Sequence, residues 1–169
     1  LYIHLTLMPY ISAAGELKTK PTQHSVKELT SLGIQPDIII LRSDRPVDKK
    51  AREKISLFCN VDLESVITAR DVSSIYDLPL VLHKQGLDAR ICEKLNIWAG
   101  APNLAPWQKV VDVVRSPAKG LVRVAMVGKY VDLTESYKSL NEALIHGGVA
   151  NDCAVAIDYI DSEAIVQSG

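Results

Sequence analysis

The chain has 169 residues, which is room for one ordinary domain or for a truncated domain and part of another. Its hydrophobic fraction of 47% and formal net charge of -1 are typical of a soluble globular protein. This composition argues against a nucleic-acid or membrane-surface partner, and no apolar run has the length of a membrane span.

Strand-like and helix-like patterns alternate along the first part of the chain. A strand predicted over 2–8 precedes a helix in which Ser25 and Glu28 have capping-box spacing and Gly33 suits the helix end. The continuous apolar run PDIIILRS, residues 36–43, predicts a strand covered on both faces, as in a parallel sheet. The patterns then predict a helix over 47–59, a strand over 64–72 that turns into a loop, and a helical segment over 74–95 that Pro79 can break.

This alternation predicts an α/β fold with an open, mostly parallel, doubly wound sheet. Near residue 100 the composition changes, and two prolines with little periodicity indicate a linker over 99–120 that contains a connecting helix. Beyond it, a strand over 121–132, a helix over 136–149 with a Gly-Gly stop and a strand over 154–162 predict the start of a second β-α-β unit.

The three cysteines are Cys59, Cys92 and Cys153. Their odd number and wide spacing favour reduced, structural thiols of a cytoplasmic protein over a disulfide framework or a zinc site. The chain opens inside a strand pattern, LYIHLTLMPYI, and its last residues begin a helical one. We therefore expect it to be a piece of a longer protein.

The stretch GELKTKPTQHSVKELTSLG, residues 15–33, places Lys18 and Lys20 in a predicted polar loop between a strand and a helix. Such a loop lies on the ligand-binding edge of an α/β sheet, where free N–H groups and the helix dipole favour anions. Thr19, Thr22 and Gln23 add neutral hydrogen-bonding groups. A phosphate chain suits this loop, although a solvated polar turn explains the same pattern.

Two further segments are candidates for the same edge. Lys54 follows the second predicted strand, with Lys49 and Arg52 nearby, although a solvated helix face is the simpler interpretation. The segment 69–72 follows the third predicted strand, where Asp71 and its neighbouring backbone groups are placed to contact a base. The chain has no Walker A motif, dinucleotide fingerprint or metal-ligand spacing of histidines.

The run HLTLMPYISAAGELKTKPTQHSVKELTSLGIQPDIIILRSDRPV resembles the end of the synthetase (amidoligase) domain of the CTP synthase family. The similarity continues through REKISLFCNV, ARDVSSIYDLP and QGLD. After the linker, VAMVGKYVDLTESYKSLNEAL is similar to the opening of that family's class I glutaminase domain. The resemblance implies three segments, which are a partial P-loop-like synthetase domain over 1–98, a linker over 99–120 and the start of a glutaminase domain over 121–169.

The resemblance implies a ligase that phosphorylates UTP with ATP and replaces the phosphate with ammonia from glutamine, giving CTP. It also implies Mg²⁺, activation by GTP, inhibition by CTP and a homotetramer. Matched motifs imply that a UTP/CTP-binding loop and an ATP-binding segment lie in this chain. The UTP/CTP residues are Lys18, Thr19, Lys20, Pro21, Thr22, Gln23 and Lys54, and the ATP residues are Arg70, Asp71 and Val72.

The family's P-loop and magnesium ligands match no residues of this chain, and neither does its glutaminase triad. We therefore expect no catalytic or metal-ligating residue here, and no CTP formation by these residues alone. Two alternatives stay open, which are a dethiobiotin synthetase type of ligase and a non-catalytic nucleotide-binding or assembly module. The segment that is similar to a glutaminase domain argues against the first of them.

Overall fold

The computed structural model describes residues 1–168, which form two compact units. The first unit is Leu1–Pro102, and the second covers the rest of the chain from Asn103. In chain order the first unit contains β1 (Ile3–Leu7), β2 (Tyr10–Ile11), β3 (Glu16–Leu17), α1 (Lys20–Ser31), β4 (Ile38–Ser43), α2 (Lys49–Cys59), β5 (Val66–Arg70), α3 (Leu78–Lys84) and α4 (Leu87–Lys94).

The first unit is built on a parallel sheet of three strands in the order β1-β4-β5. Leu7 lies opposite Arg42, and Ser43 lies opposite Arg70, so the carboxyl ends of the three strands meet at one edge. Helices α1 and α2 are the crossovers that parallel neighbours require. The predicted mixed α/β fold with a parallel sheet is confirmed.

Strand β4 has helices against both faces. Ile39 and Leu41 pack with Val26 of α1 and Ile55 of α2, whereas Ile38 packs on the opposite face with Leu87 of α4. Successive side chains of a strand point to opposite faces. A strand that is buried on both faces therefore needs a run of consecutive apolar residues. The apolar run at 36–43 therefore predicted this arrangement correctly.

Two details of the first unit differ from the sequence-based expectations, and one agrees with them. Helix α1 begins at Lys20, so Ser25 lies inside the helix and does not form a capping box with Glu28. Gly33, with a φ of 84°, follows the end of α1 as expected. Pro79 lies in the first turn of α3, where its missing N–H costs nothing, and the helical segment breaks at Gly86.

The second unit contains α5 (Ala105–Arg115), β6 (Leu121–Gly128), α6 (Lys138–Asn151), β7 (Ala154–Asp161) and α7 (Ser162–Ser168). Strands β6 and β7 pair in parallel over their full length, which confirms the predicted β-α-β unit. The predicted Gly-Gly stop is wrong, because α6 continues through it. A Cβ at Gly148 would lie 2.7 Å from the Cys153 carbonyl oxygen, so this glycine permits close packing of α6 on the next segment.

We predict that Cys59 is the slowest of the three cysteines to be alkylated in the native protein at pH 8. Its side chain is buried, and burial raises the pKa of its thiol to about 11. A thiol pKa two above its ordinary value lowers the thiolate fraction about 100-fold. Mass spectrometry of the alkylated peptides measures the three rates, and equal rates for Cys59 and the half-buried Cys92 or Cys153 would contradict the prediction.

The raised pKa of the Cys59 thiol also makes the free energy of unfolding depend on pH. The unfolded thiol ionises near pH 9 and the native one near pH 11, so its contribution to stability is complete below about pH 9 and is lost as the pH rises to about 11.

We predict that Ile39→Ala speeds alkylation of Cys59 by about 30-fold or more in the full-length protein. Ile39 is fully buried in the cluster that contains Cys59, and removing a buried isoleucine side chain costs about 2 to 5 kcal/mol. Alkylation of a buried thiol follows the population of the open form. Leu57→Ala is the control, because Leu57 is 77% exposed and its truncation should change the rate little.

Candidate functional site

A cleft of about 860 Å³ lies between the β2–β3 hairpin, the start of α1 and the segment that leads into α2. Two acidic side chains, Glu16 and Asp48, line it. Five cationic side chains line it as well, and these are Lys18, Lys20, Arg45, Lys50 and Lys54. The excess of positive charge makes the cleft a candidate binding site for an anion with several negative charges.

The segment that the sequence predicted as a loop is a hairpin followed directly by a helix. Tyr10 pairs with Leu17 in the antiparallel hairpin, and Gly15 closes its turn with a φ of 65°. The Lys18 amide donates to the Pro9 carbonyl oxygen at 2.9 Å, which ties the exit of the hairpin to its entrance. Lys18 therefore lies at a defined position just before α1.

The first turn of α1 has no side-chain cap. Thr19 is at the N-cap position, but its Oγ1 accepts a hydrogen bond from Gln23 Nε2 at 3.2 Å instead of from a backbone amide. The first N–H groups of a helix have no acceptor within the helix, and the positive end of its dipole lies there. This end of α1 borders the cleft through Thr19 and Lys20.

The predicted UTP/CTP residues divide into two groups in the structure. Lys18, Thr19, Lys20 and Lys54 line the cleft. Pro21, Thr22 and Gln23 belong to the first turn of α1 and are not among its lining residues. The side chain of Thr22 is fully buried, with its Oγ1 3.4 Å from Thr6 Oγ1 of β1. Thr22 therefore supports the helix against the sheet, and contact of any of these residues with a nucleotide stays a prediction.

The charges of the cleft interact with one another. Lys18 donates a hydrogen bond to Glu16, and both residues line the cleft. This hydrogen bond and the charge of Lys18, with a further contribution from the charge of Lys54, hold the pKa of Glu16 below its ordinary value. Asp48 is used differently, because its Oδ1 accepts from the Ala51 amide at 2.8 Å and caps α2. Glu16 is thus the internal counterion of the lysines.

Arg45 and Lys50 line the cleft, but neither was among the site residues predicted from the sequence. Lys49 and Arg52 were considered instead, but Lys49 pairs with Glu53 at 3.7 Å. Arg52 donates to the carbonyl oxygens of Leu63 and Val66. The helical period offered a signal for Lys50, because it lies four residues before Lys54 and so on the same face of α2.

A second, smaller cleft of about 310 Å³ lies where β1, β4 and β5 end. Asp71 lines it, and its amide donates to the Ser43 carbonyl oxygen at 3.0 Å. Arg70 and Val72, the other two predicted ATP residues, flank Asp71 in sequence but are not among the lining residues. Tyr10 lines this cleft and the larger one, so the two sites share a wall.

Neither a metal-binding cluster nor a membrane-spanning helix is found among residues 1–168. Within these residues, no group of three or more histidine, cysteine, aspartate and glutamate side chains is arranged to hold a metal ion. No helix in the same part of the chain is long and apolar enough to cross a membrane.

Comparisons with known proteins identify the family. A family model described as the CTP synthase N-terminus matches residues 1–97. CTP synthases from Geobacter sulfurreducens and Pelobacter propionicus are each 61% identical over all 169 residues, which cover 32% of either protein. The CTP synthase of Syntrophus aciditrophicus is 54% identical over the same 169 residues, or 31% of its length. The chain spans about a third of the length of these curated relatives. With the family model covering more than half of its residues, the chain belongs to the CTP synthase family.

Proposed function

We propose that the intact protein is a glutamine-hydrolysing CTP synthase, a ligase that converts UTP to CTP with ATP and glutamine-derived ammonia. In this proposal the larger cleft holds the triphosphate of UTP or of the product CTP, and the segment 70–72 contacts ATP on its adenine side. The observation that carries the proposal is the set of five cationic side chains around one cleft beside the carboxyl end of the sheet.

The residue types suit a triphosphate. Lysine ammonium groups neutralise phosphate oxygens as mobile point charges, and the uncapped first turn of α1 adds N–H donors. A ligand phosphate competes with Glu16 for Lys18, so the cleft exchanges an internal counterion for an external one. A protein catalyses phosphoryl transfer mainly by positioning the reactants and stabilising their charge. Neither Lys18 nor Lys20 therefore has to act as a base.

The arrangement of the two clefts supports the placement of two nucleotides. Phosphorylation of UTP by ATP needs both substrates side by side, and the two clefts share Tyr10. Parallel α/β sheets bind ligands outside the carboxyl ends of their strands, where the smaller cleft lies. Asp71 is held there by its bond to Ser43.

The remaining parts of the reaction belong, in our proposal, to other parts of the intact protein. These are the P-loop, the ligands of Mg²⁺ and the glutaminase triad. The segments of this chain would then be the end of the synthetase domain over 1–98, a linker over 99–120 and the start of the glutaminase domain over 121–169. Leu5 and Leu7 of the edge strand β1 are 63% and 60% exposed, an apolar surface that other parts of the intact protein would cover.

The proposal includes a cytoplasmic homotetramer that GTP activates and CTP inhibits. These properties rest on family membership alone. A non-catalytic nucleotide-binding or assembly module is the alternative, because a relative that keeps this cleft could bind nucleotides without carrying out the chemistry. Both candidates bind UTP and CTP, and only turnover separates them.

We predict that Lys18→Ala and Lys54→Ala in the intact protein each raise the Kd of UTP and CTP about 10-fold or more and change that of ATP less. The reason is the loss of one charge-assisted contact to phosphate, which is worth about 1.5 to 3 kcal/mol. Titration calorimetry with each nucleotide measures the effect.

Lys49→Ala is the matched control for these variants. Lys49 lies on the same helix as Lys54 and carries the same charge, but it does not line the cleft. Its truncation should leave all three affinities within about 2-fold, as for a surface substitution. Equal losses for UTP, CTP and ATP in Lys18→Ala and Lys54→Ala would contradict the assignment of the cleft to the pyrimidine nucleotide.

We predict that the intact protein forms CTP from UTP, ATP and glutamine, and that residues 1–169 alone do not. The absorbance change on conversion of UTP to CTP measures both rates. Reproducible CTP formation by residues 1–169 would overturn the division of the machinery proposed above. Binding of UTP by an intact protein that forms no CTP would favour the non-catalytic module.

A further inference from the structure

We propose that Arg45 is a further phosphate-binding residue of the larger cleft and that Tyr10 is the residue that positions it. The ligand class is the triphosphate of a pyrimidine nucleotide, so this inference rests on the proposed function and deepens it. Neither residue belongs to the motif residues that the family resemblance implied.

The position of Arg45 is defined by a stack. Its Cζ lies 3.6 Å from the centroid of the Tyr10 ring. A guanidinium stacked in this way uses its flat face for the ring and keeps its N–H donors at the edge. Those donors form a planar fork that can bind two phosphate oxygens at once, whereas a lysine ammonium acts as a point charge. Arg45 therefore adds directional recognition to a cleft whose other four cations are lysines.

The backbone of Arg45 is fixed to the central strand. The side chain of Ser43, 1% exposed at the end of β4, donates to the Arg45 carbonyl oxygen at 2.7 Å and accepts from the Arg45 amide at 3.1 Å. Asp44 Oδ2 lies 3.6 Å from Arg45 Nε, between side chains that are more than half exposed, so water screens this pair. The carboxylate of Asp44 can thus yield to a phosphate.

Tyr10 belongs to a different segment, the β2–β3 hairpin. It lies in β2, opposite Leu17 of β3, and this hairpin leads directly to Lys18. The stack of Arg45 on Tyr10 therefore joins the segment that carries Lys18 to the loop that leads into α2 and Lys54. Because the ring of Tyr10 holds the guanidinium of Arg45 beside the cleft, we assign the positioning role to Tyr10.

The test uses the full-length protein and four variants, Arg45→Ala, Arg45→Lys, Tyr10→Phe and Tyr10→Leu, with UTP and ATP as the titrated ligands. Arg45→Ala should raise the Kd of UTP about 10-fold or more and that of ATP less than about 2-fold. Arg45→Lys should restore only part of the affinity. Tyr10→Phe keeps the ring and should bind UTP as the native protein does, whereas Tyr10→Leu should lose about 2- to 30-fold.

A double variant separates positioning from a direct contact of Tyr10 with the ligand. Tyr10→Leu should have little further effect in the Arg45→Ala background, because the residue that it positions is absent. The alkylation rate of Cys59 reports whether each variant is folded. Should Arg45→Ala or Tyr10→Leu unfold, the comparison of Arg45→Lys and Tyr10→Phe with the native protein still decides the question.

Three outcomes overturn the proposal. One is an unchanged UTP affinity in folded Arg45→Ala, and another is equal damage from Tyr10→Phe and Tyr10→Leu, which would assign the role to the hydroxyl group. In either case, weaker UTP binding in Lys18→Ala and Lys54→Ala would leave the proposed function intact. The third is an absence of UTP binding by the native full-length protein, which overturns this inference together with the proposed function.

Discussion

The burial of β4 on both faces is the constraint on which the first unit depends. Ile38, Ile39 and Leu41 are fully buried, and they face helices on opposite sides of the sheet. Parallel neighbouring strands joined by crossover helices bury both faces of a strand in this position. The same crossovers bring the carboxyl ends of β1, β4 and β5 to one edge, and both clefts lie at or beside that edge.

The larger cleft concentrates positive charge without a matching set of carboxylates. Two acidic residues line it. Asp48 accepts a hydrogen bond as the cap of α2, and Glu16 interacts with Lys18 directly and with the charge of Lys54. Repulsion among the five cations costs little while water screens them. A polyphosphate that displaced this water would gain several charge-assisted contacts at once, which is the physical basis of the proposed triphosphate site.

Tyr10 gives the two clefts a common boundary and holds Arg45 by its ring. A rigid aromatic ring on a hairpin suits a shared wall, because it carries little conformational freedom of its own.

By itself the sequence determined the α/β fold, the buried central strand and the basic segment that includes Lys18 and Lys20, because these follow from local periodicity and composition. Tertiary structure alone decided that Thr22 turns into the core and that Arg45 stacks on Tyr10, 35 positions away in the chain. It also decided that α6 continues through Gly148. Each of these depends on packing between separate segments of the chain, and no local pattern encodes such contacts.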